Sequence, residues 1–139
     1  MWLVDSGCSR HMTGSSKWFT SLNKASGDEF ITFGDNSRGR VTHKGAVRVN
    51  NNNILKDVAL VSKLRYNLIS VSQLIDDDYE VCFKKNGCRV LDSSGALAFG
   101  ISRPGRVFAA EFGSSESRCF LATSSSVFQL WHQIGRAHV

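Results

Sequence analysis

The side chains with the most reactive chemistry crowd near the start of the sequence. Asp5-Ser6-Gly7 follows the apolar run Trp2-Leu3-Val4. A strand that delivers a carboxylate into a tight turn suits acid–base chemistry. Glycine permits close backbone approach there, and the serine hydroxyl can hydrogen-bond across to a second copy of the turn. Two such carboxylates facing each other cannot both ionise easily, so they share one proton and titrate as a coupled pair. One then activates a water as general base while its protonated partner polarises a carbonyl. The sequence holds one such tripeptide, so this chemistry requires two chains related by a twofold axis.

Other reactive residues carry less. Cys8 and His11 have the spacing of half a zinc site, but no second ligand pair accompanies them, since Cys82 and Cys88 are split by five residues and Cys119 stands alone. No metal or cofactor is expected. A nucleophilic Cys8 would need His11 within hydrogen-bond reach and a third group to orient it, and nothing in the sequence predicts either. His43 falls on the apolar side of a strand pattern and reads as a packed or edge histidine.

The elements that must position Asp5 are mostly strands. Residues 30–34 and 41–49 are extended runs joined by Asp35-Asn36-Ser37-Arg38-Gly39, which suits a turn, so they form a long hairpin. Within the second run Val41, His43, Gly45, Val47 and Val49 share a face at period two. Residues 54–61 read as a buried strand. Trp18, Phe19 and Leu22 fit a small helical core patch. Ser70 is placed to cap a short helix carrying Val71, Leu74 and Ile75 on one side, ended by Asp76-Asp77-Asp78. Strand-like segments 79–84, 88–92, 96–101 and 106–112 then alternate with turn residues as a β-meander. With Asn86-Gly87 as a two-residue turn, Lys85 pairs with Cys88 and Cys82 with Leu91. Cys82 and Cys88 then lie on opposite faces, and no structural disulfide is expected.

Composition sets the frame. At 139 residues with 42% hydrophobic content, the chain can bury a true core. No stretch approaches the roughly 18 apolar residues of a membrane span, and the first residues lack the basic and apolar regions of a secretory signal. A soluble, intracellular, cytoplasmic protein with no membrane partner is the expectation. The formal net charge of +5 and pI near 9.3 raise the question of nucleic acid. Arg38, Arg40, Lys44 and Arg48 gather on the hairpin, yet a solvated ribbon is the preferred reading over a phosphate-binding strip.

By itself the tripeptide is weak, because background composition supplies it in on the order of one chain in fifteen of this length. Its context is more specific. The blocks Asp5-Ser6-Gly7-Cys8-Ser9-Arg10-His11-Met12-Thr13-Gly14, Phe33-Gly34-Asp35-Asn36-Ser37 and Tyr66-Asn67-Leu68-Ile69-Ser70-Val71-Ser72-Gln73-Leu74 resemble the protease region of Ty1/copia retrotransposon Gag-Pol polyproteins. Gly87-Cys88 and Leu130-Trp131-His132 resemble the stretch leading into the pre-integrase segment, with His132 at the place of the first ligand of a zinc module.

The resemblance implies an all-β fold: a small retropepsin-like β-barrel with one or two short helices, followed by a β-meander extension. It implies an aspartic endopeptidase that works as a homodimer with one Asp per subunit and cleaves the Gag-Pol polyprotein, within a virus-like particle. Asp5 is then the catalytic carboxylate, and Ser6 and Gly7 complete its turn. Gly34, Asp35, Asn36, Ser37, Arg38 and Gly39 form the tip of the substrate-binding flap. Ser70 stands where such proteases usually have glycine, and Ser62-Lys63 where the family often has Pro-Gly. These departures bear on pocket shape and on activity.

Residues 1–76 would be the protease subunit, 77–113 the meander extension, and 114–133 a Ser-rich linker toward a truncated pre-integrase segment. Residues 134–139 match the translation of a common sequencing adapter and are expected to be an artefact. The rival reading is a catalytically inactive β-barrel, a structural or nucleic-acid-associating module of a decayed polyprotein.

Overall fold

The computed structural model describes residues 1–33, 36–103, 107–110 and 112. The expectations for the 114–133 linker and the 134–139 tail lie outside them, as do Gly34 and Asp35. Among the described residues the fold is all-β with one short α-helix. In chain order the strands are β1 (Trp2–Asp5), β2 (Met12–Thr13), β3 (Phe19–Lys24), β4 (Phe30–Thr32), β5 (Arg38–Arg48), β6 (Ile54–Val61) and β7 (Asn67–Ser70). Helix α1 (Val71–Asp76) follows, then β8 (Glu80–Lys84), β9 (Gly87–Leu91), β10 (Leu97–Ser102) and β11 (Ala109–Ala110).

The strands hydrogen-bond in the order β3-β5-β6-β2-β7-β1-β11-β10-β9-β8, with β4 on β5. β1 lies inside this sheet. It runs parallel to β7, with Asp5 level with Ser70, and antiparallel to β11 on its other side. Both faces of β1 are buried, as expected for an interior strand whose residues are all apolar up to the carboxylate. Trp2 and Val4 enter one core with Ile69, Leu74, Val90, Phe99 and Phe112, while Leu3 enters a second with Met12, Ile31, Val61 and Leu68. The first core takes side chains from the meander as well as from β1 and β7.

Several local expectations need correction. β5 does not keep one face from Val41 to Val49. Val41 pairs with Val61 but His43 with Leu60, so β5 carries an extra residue there; Gly45 pairs with Val58 but Val47 with Leu55, so β6 carries one there. Each bulge turns the following side chains to the other face. Val41 therefore lies in the second core and Val47 in the first, although both are odd-numbered.

The Trp18, Phe19 and Leu22 patch is not helical. A single 3-10 turn, Ser16–Trp18, leads into β3, which pairs along β5, and Leu22 is exposed. Sheet pairing with β5 overrode the apolar spacing. Ile75 likewise points to solvent, because six residues of helix bury only Leu74 fully.

In the meander hairpin the turn is Lys85-Asn86. Lys84 pairs with Gly87, Phe83 with Cys88 and Cys82 with Arg89, two residues away from the expected register. Gly87 is used for close approach and not for the turn: a Cβ there would strike the Ile101 carbonyl of β10. A two-residue slip preserves the faces, so Cys82 and Cys88 still point to opposite sides. Cys8, Cys82 and Cys88 are all free thiols.

Candidate active site

Asp5 ends β1 and is 3% exposed, while Ser6 and Gly7 immediately after it are exposed. The carboxylate thus sits beneath a surface turn. Its Oδ1 accepts the Gly7 backbone N–H at 2.7 Å and its Oδ2 accepts the Cys8 thiol at 3.1 Å. Both donors come from the same turn, two and three residues on, which is why a short Asp-Ser-Gly-Cys segment closes on itself. Burial, then the adjacent Asp5 charge and the hydrogen bond to it, push the Cys8 thiol far upward, so it stays protonated and remains a donor.

β7 and α1 hold the turn from behind. Ser70 follows the parallel pairing to the level of Asp5. Its hydroxyl donates to the Cys8 carbonyl at 2.7 Å and accepts the Gln73 N–H at 3.1 Å, so one side chain caps α1 and pins the turn. Ser72 reaches the same Cys8 carbonyl at 3.3 Å.

His11 completes the support. Its Nδ1 accepts the Ser70 N–H at 2.9 Å, its backbone N–H donates to Gln73 Oε1 at 2.7 Å, and its carbonyl accepts the Ala59 N–H at 3.0 Å. The ring is fully buried, and burial lowers its pKa to about 3. It is therefore neutral, with the proton on Nε2, which has no hydrogen-bond partner. Cys8 and His11 do not bond to each other as a nucleophile and base: the thiol is turned to Asp5 and the ring to Ser70. Among the described residues no cluster of three or more His, Cys, Asp or Glu side chains is arranged to hold a metal ion.

The hairpin expected as a flap is β4 and β5, with Thr32 level with Arg38. Of its six tip residues, Asn36, Ser37, Arg38 and Gly39 are described. Asn36 takes a left-handed backbone (φ 69°) and donates its N–H to the Phe33 carbonyl at 3.0 Å, the role asparagine fills readily in a turn. Arg38 stacks over the Phe30 ring.

At the base of the hairpin Glu29 forms an ion pair with Arg10, five residues after Asp5. Ser9, Arg10, Glu29, Asp57 and Gln73 line an open polar cleft beside the turn. No local pattern signals the Arg10–Glu29 pair. For Ser70 the capping pattern is visible, but its reach back to Cys8 and that of Gln73 to His11 are not.

The geometry defines an all-β domain with a carboxylate-bearing turn. Residues 2–79 match the Pol polyprotein, beta-barrel domain family, and the chain belongs to it. The chain is also 28% identical, over 137 residues, to the retrovirus-related Pol polyprotein from transposon TNT 1-94 of Nicotiana tabacum. That match covers 95% of this chain and 10% of the relative, so the chain spans about a tenth of the relative's length. No solved structure matches. The likeness to copia-type retrotransposon Pol, read from the blocks around Asp5, Phe33 and Tyr66, agrees with both findings.

Proposed function

We propose that this region is an aspartic endopeptidase that assembles as a twofold dimer, with one Asp5 from each copy, and cleaves the Gag-Pol polyprotein. The observation that carries the reading is the Asp5 turn. A buried carboxylate is held by the N–H of Gly7 and the thiol of Cys8 beneath exposed Ser6 and Gly7. A second turn meeting this one brings two carboxylates together, and they share a proton. The unprotonated one takes a proton from water; the other donates a hydrogen bond to the scissile carbonyl. The exposed Ser6 hydroxyl hydrogen-bonds across to the partner turn in this reading. The β4–β5 hairpin, tied to the turn through Arg10 and Glu29, serves as the flap over bound peptide. The setting is the cytoplasmic particle in which such polyproteins are processed; among the described residues no helix is long and apolar enough to cross a membrane.

The test is hydrolysis of a precursor-like peptide at mildly acidic pH by the chain and by Asp5→Asn. The expected result is loss of turnover to background in the variant, with hydrolysis by the parent rising as the square of protein concentration below the dimerisation constant. Equal hydrolysis by both chains would sink the assignment.

A second reading, an inactive module that associates with nucleic acid, draws on the cationic side chains of β5. Two of the four expected residues are already paired, Arg40 with Asp28 and Lys44 with Glu29. Their charge is offset within the chain, which favours the endopeptidase. Binding of single-stranded RNA that weakens steeply with salt, in a chain that stays monomeric, would reverse this preference.

A further inference from the structure

Two features of the turn, a thiol on the carboxylate and a serine where a glycine was expected, meet in one hydrogen-bonded chain. Asp5 Oδ2 accepts from Cys8 Sγ, and the carbonyl of that same Cys8 accepts from Ser70 Oγ. The Ser70 N–H is in turn fixed on His11 Nδ1, and its oxygen accepts from Gln73. Cys8 is 2% exposed and Ser70 fully buried, so water does not stand in for either partner. The sequence separation between Ser70 and Cys8 is 62 residues, so only the parallel β1–β7 pairing brings them together.

We infer that Cys8 and Ser70 are paired positioning residues for Asp5: the thiol fixes the orientation of the carboxylate through Oδ2, and the Ser70 hydroxyl fixes the thiol by holding its backbone. The inference rests on reading Asp5 as the catalytic carboxylate. A carboxylate held only through Oδ1 by Gly7 can rotate about that contact; a second donor on Oδ2 removes the rotation. A hydrogen bond to a charged acceptor in a buried site is strong enough to do this. The glycine expected at position 70 could not have supplied the hydroxyl. The serine thus has a structural task here that ties α1 to the turn.

Two measurements on the full chain test the pair. The first is the infrared S–H stretching band of Cys8, isolated as the difference between the parent and Asp5→Asn. Because that substitution replaces a charged acceptor by a neutral one, the Cys8 band should move toward the position of a free thiol, and Ser70→Ala should shift or broaden it in the same direction. No change in the thiol bands on Asp5→Asn would overturn the inference, and this arm needs neither turnover nor a Cys8 variant.

The second measurement is steady-state hydrolysis. Cys8→Ala should lower kcat roughly tenfold with KM nearly unchanged, Cys8→Ser should recover most of the loss, and Ser70→Ala combined with Cys8→Ala should cost less than the two single changes together. A Cys8→Ala chain with parental kcat would overturn the inference. If the parent shows no Asp5-dependent hydrolysis, the endopeptidase reading fails while the thiol band still decides the positioning claim.

Discussion

Two cysteines of this chain each donate to a carboxylate, in different surroundings. Cys8 reaches Asp5 inside the protein, and half-buried Cys82 reaches the exposed Glu80 at 3.6 Å within β8. The contrast extends to the regions around them. Behind Asp5 the polar contacts join distant segments: Ser70 with His11, Gln73 with His11, and Thr13 with Asn67 at 2.5 Å. In the meander the turn contacts are local, as where Asp92 accepts from Ser94 and from the Ala96 N–H, and the long-range ones are the amides of Asn50 and Asn53 on the Ala98 carbonyl. A local contact forms whenever its own segment does. A contact between residues some sixty apart forms only once the sheet order is right, so the site region should be the more cooperative of the two and the more sensitive to a single change.

The largest effect should come from the residue that belongs to both regions. Trp2 is fully buried and packs on Trp18 and on Phe112, with ring centroids at 5.8 and 5.3 Å. Trp2→Ala should cost about 3–5 kcal/mol. In urea unfolding the site region and meander should lose structure together; separate transitions would show that they are independent units.

Acid should weaken the whole fold through the site region. The folded pKa of His11, about 3, lies below its ordinary value near 6.5, so across that window the unfolded chain binds more protons. Stability is full above the window and falls as pH drops through it, by up to about 1.4 kcal/mol per pH unit from this one group. Protonation also puts a donor on Nδ1, facing the Ser70 N–H. Denaturant midpoints measured from pH 7 to pH 4 should fall for the parent and flatten in His11→Gln.

Ser70→Ala comes next, at about 1–3 kcal/mol, since it removes a helix cap and leaves the Cys8 carbonyl with Ser72 alone. Amide exchange at Gln73 should accelerate well beyond that of the meander amides. The smallest effect should be Asp92→Ala. Hydrogen bonds from Ser94 and Ala96 hold this exposed carboxyl below its ordinary range. Its loss should speed amide exchange at Ser94 and Ala96 while leaving the global midpoint nearly unchanged.

Legibility in the sequence followed the same division. The alternation in segments 79–84, 88–92 and 96–101 located three meander strands. The register was missed by two residues because Gly87 serves the approach of β10, a neighbour the local pattern does not contain. In the same way β3 was mistaken for helix because its pairing partner β5 lies some twenty residues on. The even spacing from Val41 to Val49 hid two bulges that only the pairing of β5 with β6 reveals.

The sequence by itself determined that the chain is built of strands, that Asp5 ends an apolar one in a tight turn, and that Ser70 caps a short helix. These depend on side-chain period, glycine and capping chemistry within a few residues. The tertiary structure alone decided that β1 lies beside β7 in parallel, that Ser70 therefore reaches back to Cys8, and that the Cys8 thiol is buried against Asp5. The first two join segments some sixty residues apart and the burial of the local Cys8–Asp5 contact follows from them; the free energy that selects them comes from two cores filled jointly by early and late strands.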